Sequence, residues 1–372
     1  MRSYPVPDSI IKRSKLPRSR GPLHCIAAST RRFTMPFVTG AQNFDVVSLG
    51  DVVTDEFIRL PEGSVRVRVD EKGRWLEIPL GTKLVIEDDL VPATGGSAAN
   101  AAVAMSRLGL RVGLASYLAH DQIGLEILSA MHGEDVDTGL IHVDSPSHTV
   151  RNFVLSFTGE RTILVRHAEF NYHWEGLRDY EVPTWLYINS LGPDALTYQD
   201  ELADWLDQYP NVRLAFQPGT FQIEAGTDRL ARLYARAEVL LCGRAAAETI
   251  GGASSAEPGH LLDALLRLGA SNVVVIDESG GAVAANDSER LKIEPFADPE
   301  PPLDLTGAGD AFASTMVAAL IKGMPLREAL RWPPVNHAAT SRQFGTQGGL
   351  LGLDDLVSRL DTAQSEFVAH DL

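Results

Sequence analysis

The stretch Asp304-Leu305-Thr306-Gly307-Ala308-Gly309-Asp310, followed by the apolar run 311–320, decides how this 372-residue chain is interpreted. Apolar side chains recur in that run at helical spacing, so the pattern predicts a helix that begins in the glycine turn. The first N–H groups of a helix have no partner within the helix, and the helix dipole adds about half a positive charge there. Small residues also allow the backbone to approach a ligand closely. The turn therefore predicts an anion site that suits a phosphate group.

The carboxylate of Asp310 lies in the same turn, where a simple phosphate site would not place one. It could cap the helix, since aspartate is favoured near helix starts. Alternatively, Asp310 is a base that accepts the proton of a substrate hydroxyl, while the N–H groups of Gly307, Ala308 and Gly309 neutralise a migrating phosphoryl group. The base is favoured, because Thr306 can cap the helix instead. We expect the helix dipole to lower the pKa of Asp310.

A second glycine turn, Gly95-Gly96-Ser97-Ala98-Ala99-Asn100, precedes another predicted helix. Paired glycines permit close approach of the backbone, and the amide of Asn100 can donate and accept hydrogen bonds as a sugar hydroxyl does. A tight turn with an incidental asparagine is the alternative. Asp55 follows the first predicted strand, 44–50, and a carboxylate there can hold two hydroxyls. Asp51 is nearer that strand and is interpreted as its end.

The pattern along the chain predicts one doubly wound α/β domain with a small β lid. From Gly95 onwards, short apolar runs alternate with helical patterns of about ten residues, which is typical of a mostly parallel sheet covered on both faces. Alternating residues at 65–69 and 75–78 predict a hairpin, and 84–86 a third strand. We therefore assign the lid to 57–89, the core to 35–56 and 90–372, and leave the basic segment 1–34 out of the fold.

The two glycine turns resemble, in order, the two signatures of the ribokinase-like (PfkB) family of sugar and nucleoside kinases. The resemblance covers residues 44–352 and implies a ribokinase-like three-layer α/β/α sandwich with a small β-sheet lid. It implies ATP as the phosphoryl donor, Mg²⁺ as a cofactor, a sugar or nucleoside as the acceptor, and often a homodimer formed through the lid. A GxxxxGK[ST] motif is absent from the sequence, so the chain is not a P-loop kinase.

The resemblance also implies roles for individual residues. The catalytic base is Asp310, and the anion hole consists of Gly307, Ala308 and Gly309. The acceptor is held by four residues, which are Asp55, Gly95, Gly96 and Asn100. The nucleotide is contacted by Thr306, Gly307 and Gly309, and in the family residues at the positions of Asp304 and Thr306 can help bind a monovalent cation.

Two segments depart from the family's pattern. After the predicted strand 239–241 the family commonly has Asn-x-x-Glu, which orders Mg²⁺ and phosphate, but Gly243 and Ala246 occupy these positions and Glu248 follows two residues later. Glu278 lies near the expected nucleotide site, where a carboxylate would repel phosphates. These departures leave a second hypothesis open, in which the protein binds a sugar or nucleotide without turning it over.

Composition excludes several classes of protein. The formal net charge of −16 argues against a nucleic-acid partner, and no apolar run approaches the ~20 residues of a transmembrane helix. Two cysteines exclude a disulfide framework and favour a reduced, cytoplasmic setting. Residues 1–34 contain eight basic residues and one acidic residue, so targeting to an organelle stays open beside a plain extension or an upstream start.

Overall fold

Short strands with apolar side chains on both faces build the centre of the fold. The computed structural model describes residues 43–71, 73–90, 94–144, 148–158, 160–166, 168–177, 180–252, 257–298, 301–363 and 366–372. The predicted basic segment 1–34 lies outside the described residues. Within the described ranges, every helix is too short or too polar to cross a membrane.

The strands, in chain order, are β1 (Val46–Leu49), β2 (Val53–Arg59), β3 (Arg66–Asp70), β4 (Gly73–Glu77), β5 (Asp88–Leu90), β6 (Val112–Ala119), β7 (Ile141–Asp144), β8 (Val150–Phe157), β9 (Glu160–Arg166), β10 (Trp185–Ile188), β11 (Arg213–Phe216), β12 (Ala237–Gly243), β13 (Asn272–Ile276), β14 (Ala282–Asn286), β15 (Arg290–Ile293) and β16 (His370–Asp371). The helices are α1 (Ser97–Arg107), α2 (Gln122–Gly133), α3 (Leu196–Gln208), α4 (Thr220–Ala225), α5 (Ala231–Arg236), α6 (Arg244–Gly251), α7 (Pro258–Leu266), α8 (Ala308–Ile321), α9 (Leu326–Ala329), α10 (Pro333–Thr340) and α11 (Leu353–Thr362), with a 3₁₀ turn at Pro193–Ala195.

The central sheet has the order β16-β15-β14-β13-β12-β11-β10-β1-β6-β7. The strands from β13 to β7 in this order run parallel, whereas β14, β15 and β16 join antiparallel at one edge. The prediction of a mostly parallel sheet is confirmed. The antiparallel edge was not predicted, because its strands are short and β14 and β15 follow β13 without an intervening helix.

Helices cover both faces of this sheet, so the core has three layers. Successive side chains of a strand point to opposite faces, and Val46 and Val47 of β1 accordingly belong to two separate apolar clusters. One cluster contains α1 and α8, whose buried faces are rich in alanine and approach the sheet closely. The other contains α3 and α7. This burial on both sides explains why the strands are almost uniformly apolar.

The small sheet differs in composition from the predicted lid. Its order is β5-β2-β8-β9, and β3 and β4 form a separate hairpin that pairs Arg68 with Trp75. The sheet thus begins at Val53 and takes two strands from 150–166, which lie outside the predicted insertion 57–89. The expected strand at 84–86 is wrong: Val85 and Ile86 are exposed, and pairing with β2 begins only at Asp88.

The carboxyl ends of β1, β10 and β11 meet at one edge of the central sheet. The chain leaves β1 for the small sheet and enters α1 beside it, since Val53 and Gly95 exchange backbone hydrogen bonds of 3.1 and 2.7 Å. In open α/β sheets such an edge is where ligands bind. The fold therefore brings the two glycine turns and the loops after these strands to one place.

Candidate active site

The turn before α8 has the geometry that its glycines permit. Gly307 is the residue before the helix and has a left-handed φ of 80°, and a Cβ there would lie 2.8 Å from the Cα of Thr346. Within the described part of the chain, no acceptor pairs with the N–H groups of Gly307 and Gly309. The N–H of Ala308 instead donates to the carbonyl of Leu305 at 3.3 Å. Two of the three predicted anion-hole donors are thus available to a ligand.

Asp310 lies in the first turn of α8 and accepts hydrogen bonds from three side chains, two of α1 and one of the loop after β11. Asn100 Nδ2 donates to Asp310 Oδ2 at 2.8 Å, and Gln217 Nε2 donates to Oδ1 at 3.2 Å. Ser97 donates a third bond to the carboxylate. The capping alternative is not supported, because the helix starts at Gly307 without a side-chain cap. The carboxylate is oriented by neutral donors.

The pKa of Asp310 is raised, contrary to the prediction from the helix dipole. Burial of the carboxylate raises its pKa, and the hydrogen bonds from Asn100, Ser97 and Gln217 offset this only in part. The prediction was wrong because the sequence could not show how far the turn is covered by the loops around it. A raised pKa makes the carboxylate a stronger base.

Asn100 is buried and its amide is engaged on both sides. Its Oδ1 accepts a hydrogen bond of 3.0 Å from Gln347 Nε2, which fixes the orientation in which its Nδ2 donates to Asp310. The nitrogen carries a second hydrogen that can reach a ligand. Asn100 therefore positions Asp310, a contact that the spacing of the two turns did not reveal.

Asp55 belongs to β2 of the small sheet rather than to a loop after the first strand. It is buried, and Asn152 of β8 donates to its Oδ1 at 2.9 Å. Burial raises the pKa of Asp55, and the nearby charge of Asp310 adds to this. Gly95 leaves space for the carboxylate, because a Cβ there would lie 2.7 Å from Asp55 Oδ2. Gly95 and Asp55 thus lie against each other.

Asp51 proves to be more than the end of the first strand. Tyr172 donates its hydroxyl hydrogen to Asp51 Oδ1 at 2.8 Å, and burial raises the pKa of Asp51 to about 6. Gly96, with a φ of 88°, closely approaches the backbone of Asp51, since a Cβ would lie 2.7 Å from its carbonyl oxygen. Sequence reasoning missed Tyr172, because the segment around it has no signature pattern.

These groups enclose a cavity of about 410 Å³, hereafter the acceptor cavity. Its wall contains Asp55 and six residues of the two glycine turns, which are Gly96, Ser97, Asn100, Thr306, Gly307 and Asp310. It also contains Thr346, which the sequence did not single out and whose buried Oγ1 has no partner among the described residues. A buried hydroxyl without a partner is costly unless a ligand or water satisfies it. The cavity is therefore suited to a ligand with hydroxyl groups.

Asp304 and Thr306 are paired with a side chain of the small sheet. Arg161 Nη1 of β9 donates to Thr306 Oγ1 at 3.1 Å and lies 3.8 Å from Asp304 Oδ1. The same carboxylate oxygen accepts bonds from the backbone and hydroxyl of Thr306, at 2.9 and 2.7 Å. A guanidinium therefore lies beside Asp304, and the monovalent-cation site at Asp304 and Thr306 stays a prediction.

The departures from the family's pattern lie in well-ordered elements. Gly243 ends β12, and α6 starts with Arg244, whose Nε lies 3.2 Å from Glu248 Oε1 one turn later. Glu248 therefore does not replace the missing glutamate at Ala246, because it is paired along its own helix. Glu278 is exposed in the turn after β13. It is free to face solvent.

Comparisons with known proteins agree with this geometry. Residues 79–348, more than half of the chain, match the model of the pfkB family carbohydrate kinases. The chain is similar to an ATP-dependent 6-phosphofructokinase of Thermoanaerobacterium thermosaccharolyticum, with 24% identity over 284 residues that cover 73% of this chain and 84% of the relative.

Two solved structures have the same fold. A nucleoside kinase of the ribokinase family from Methanocaldococcus jannaschii superposes with a TM-score of 0.69 at 17% identity, covering 87% of this chain and 100% of its own. A putative ribokinase II from E. coli, in complex with ATP and Mg²⁺, has a TM-score of 0.68 at 17% identity and covers 86% of this chain and 99% of its own. These likenesses confirm the ribokinase-like α/β/α fold with a small separate sheet. By the match of its sequence to the family model, the chain belongs to the pfkB family of carbohydrate kinases.

Proposed function

We propose that the protein transfers a phosphoryl group from ATP to a primary hydroxyl of a sugar or sugar-like acceptor, with Asp310 as the base. The observation that carries the proposal is the position of Asp310: its carboxylate lies in the first turn of α8, at the wall of the same cavity as Asp55. A hydroxyl bound there lies next to a proton acceptor, Asp310, and next to the N–H groups at the start of α8.

The environment of Asp310 suits general-base chemistry. Its raised pKa increases its affinity for a proton, while Asn100 and Gln217 hold the two carboxylate oxygens in place. A base so positioned takes the proton from the acceptor hydroxyl as the bond to phosphorus forms. Asp55 accepts hydrogen bonds from neighbouring hydroxyls and keeps the acceptor from rotating.

The N–H groups of Gly307 and Gly309 are the candidates for stabilising the phosphoryl group. Among the described residues they are unpaired donors at the N-terminus of a helix. Donors fixed in this way stabilise the negative charge that develops on the transferred phosphoryl group. Thr306 adjoins them, and its hydroxyl is a candidate contact of the nucleotide phosphates.

Mg²⁺ supplies charge neutralisation on the phosphates of ATP when it is bound. The described residues contain no cluster of three or more acidic, histidine or cysteine side chains that could hold a metal by themselves. This agrees with Mg²⁺, which keeps several waters and binds mainly through substrate phosphates in kinases. The solved ribokinase II complex with ATP and Mg²⁺ supports the same pair of ligands for this chain.

Substitution of the base tests the proposal. In the variant Asp310→Asn we expect kcat to fall by about 10²–10⁴-fold, with an unchanged midpoint of thermal unfolding. ADP release is measured with ribose, fructose and adenosine as acceptors, and Asp361→Asn, on the exposed end of α11, is the matched control. If Asp310→Asn turned over near the wild-type rate, Asp310 would not be the general base.

A binding protein without turnover is the second candidate, and the replacement of the family's asparagine and glutamate by Gly243 and Ala246 favours it. Calorimetry with ATP and Mg²⁺ separates the two. Tight nucleotide binding without ADP release, for any acceptor of a broad sugar and nucleoside panel, would establish the second candidate.

A further inference from the structure

The wall of the acceptor cavity is strongly acidic. Four carboxylates line it, from Asp51, Asp55, Asp194 and Asp310, and among the described residues that line it none is lysine, arginine or histidine. The other lining side chains are neutral hydroxyl, amide, aromatic and aliphatic groups. The cavity therefore carries a negative charge of several units if all four are ionised.

The partners of three of these carboxylates are neutral. Asp51 is bonded by Tyr172, Asp55 by Asn152, and Asp310 by the amides of Asn100 and Gln217. Burial raises the pKa of all three. A cation in contact would have lowered these pKa values instead. The negative potential of the cavity is thus not cancelled by the protein groups that touch it.

Three arginines of the small sheet are bound to other groups. Arg161 lies against Thr306 and Asp304, Arg151 is paired with Glu56, and Arg59 lies over the ring of Phe344. Arg59 and Arg161 line a different cavity, of about 620 Å³, together with residues 302–306. Neither arginine is among the residues that line the acceptor cavity.

A phosphorylated or carboxylated acceptor would be repelled from this wall. A phosphate monoester carries about −1.5 to −2 charges at neutral pH. Juxtaposed like charges repel each other strongly when they are shielded from water. A neutral polyol meets no such penalty, because its hydroxyls donate hydrogen bonds to the carboxylates.

The apolar part of the lining favours the same class of ligand. Val150, Ile163, Val165 and Phe221 bring apolar surface to the cavity, from the small sheet and from the start of α4. Apolar side chains can pack against the C–H groups of a sugar ring or the face of a base. The cavity thus offers carboxylates to the hydroxyls of a ligand and apolar side chains to its carbon skeleton.

We infer that the acceptor is uncharged, a free sugar or nucleoside, and that phosphorylated and carboxylated sugars are rejected by the four carboxylates of the acceptor cavity. This inference rests on the proposed function. It separates the chain from the similar 6-phosphofructokinase, whose name indicates a phosphorylated substrate.

Matched pairs of compounds test the inference. ADP release is measured with ATP and Mg²⁺ for fructose against fructose 6-phosphate, ribose against ribose 5-phosphate, adenosine against AMP, and glucose against gluconate. We expect kcat/KM for the uncharged member of an active pair to exceed that of the charged member by at least about 100-fold.

The outcomes distinguish the two proposals. Turnover of the charged members alone, or equal turnover within pairs, overturns the uncharged acceptor and leaves the kinase intact. If the protein binds ATP but neither binds nor phosphorylates any compound of the panel, the proposed function itself is overturned.

A substitution of Asp194, at the solvent-exposed rim of the acceptor cavity, tests whether charge causes the preference for uncharged acceptors. Asp194 is an exposed residue of the cavity wall, and we expect Asp194→Asn to reduce the ratio of kcat/KM within a pair by about threefold to tenfold, since a rim charge is partly screened. The effect should shrink as salt is raised. Asp287→Asn, in an exposed turn between β14 and β15, is the control and should leave the ratio unchanged. Equal ratios in Asp194→Asn and wild type would show that the rim charge does not select the acceptor.

Discussion

Arg161 Nη1 lies 3.1 Å from Thr306 Oγ1, so the outer strand of the small sheet touches the loop that leads into α8. The two residues are 145 positions apart in the chain. Because Thr306 directly precedes Gly307, this contact connects the lid over the acceptor cavity with the start of the helix that carries Asp310.

Removal of this contact should weaken catalysis moderately. For Arg161→Gln we expect kcat/KM to fall by about twofold to fivefold, the range of a half-exposed ion pair, and Arg161→Lys to recover part of it. Turnover of the wild type should change little when K⁺ is replaced by Na⁺, whereas Arg161→Gln should become stimulated by K⁺. Arg166→Gln, on the same strand, is the control. A strong requirement of the wild type for K⁺ would contradict the role given to Arg161.

The hydroxyl of Thr346 should serve a ligand rather than the fold. Thr346→Val keeps the shape and removes a buried hydroxyl that lacks a partner among the described residues, so stability should be unchanged or higher. If Thr346 Oγ1 binds the acceptor, KM should rise by about threefold to tenfold, which corresponds to the free energy of one hydrogen bond. Thr340→Val is matched, because Thr340 Oγ1 is also buried and unpaired but does not line the acceptor cavity. Equal KM values in both variants would rule this role out.

Gly95 should tolerate no side chain without loss of acceptor binding. An alanine Cβ would lie 2.7 Å from Asp55 Oδ2 and displace the carboxylate. We expect the acceptor KM of Gly95→Ala to rise by about tenfold to a hundredfold, with a smaller change for ATP. Gly259→Ala, in α7 with open space around its Cα, is the control. An unchanged acceptor KM would show that Asp55 does not hold the acceptor.

The stability of the protein should depend on pH through Asp51. Burial raises the pKa of Asp51 from 3.8 to about 6, so the folded state binds this proton more tightly than the unfolded chain does. The contribution of Asp51 to stability is therefore full below pH of about 4 and is lost as the pH rises through about 6. Asparagine does not titrate, so the variant Asp51→Asn lacks this loss of stability with rising pH.

Chemical denaturation of wild type and Asp51→Asn, at pH of about 4.5 and about 7.5, measures the effect. We expect the unfolding free energy of the wild type, relative to the variant, to decrease by about 1–3 kcal/mol between these values. Asp361→Asn should show no such change with pH. A relative stability that rises with pH would mean that a cation compensates Asp51 in solution.

The two glycine turns were predictable because they are local. Whether a helix begins at Gly307 depends on the residues beside it, and so does the presence of free N–H groups there. The parallel sheet was predictable for the same reason, since runs of four or five apolar residues between helical patterns are typical of buried parallel strands.

The partners of Asp310 were not predictable in the same way. Gln217 directly follows β11 and donates to Asp310, which lies 93 residues further along the chain. The pKa of Asp310 was predicted in the wrong direction, because burial depends on loops that the helix dipole argument ignores. Likewise β8 and β9 join the small sheet, because Val150 pairs in parallel with Val53 of β2.

The sequence by itself determined that this chain has two glycine turns before helices, an aspartate in the second, and an acidic composition. Only the tertiary structure decided that four aspartates share one cavity, and that none of the described residues lining it is basic. It also placed Arg161 beside Asp304 rather than in that cavity. Local backbone geometry is set by neighbouring residues, whereas the electrostatic potential of a cavity is the sum over side chains that the strand order brings together.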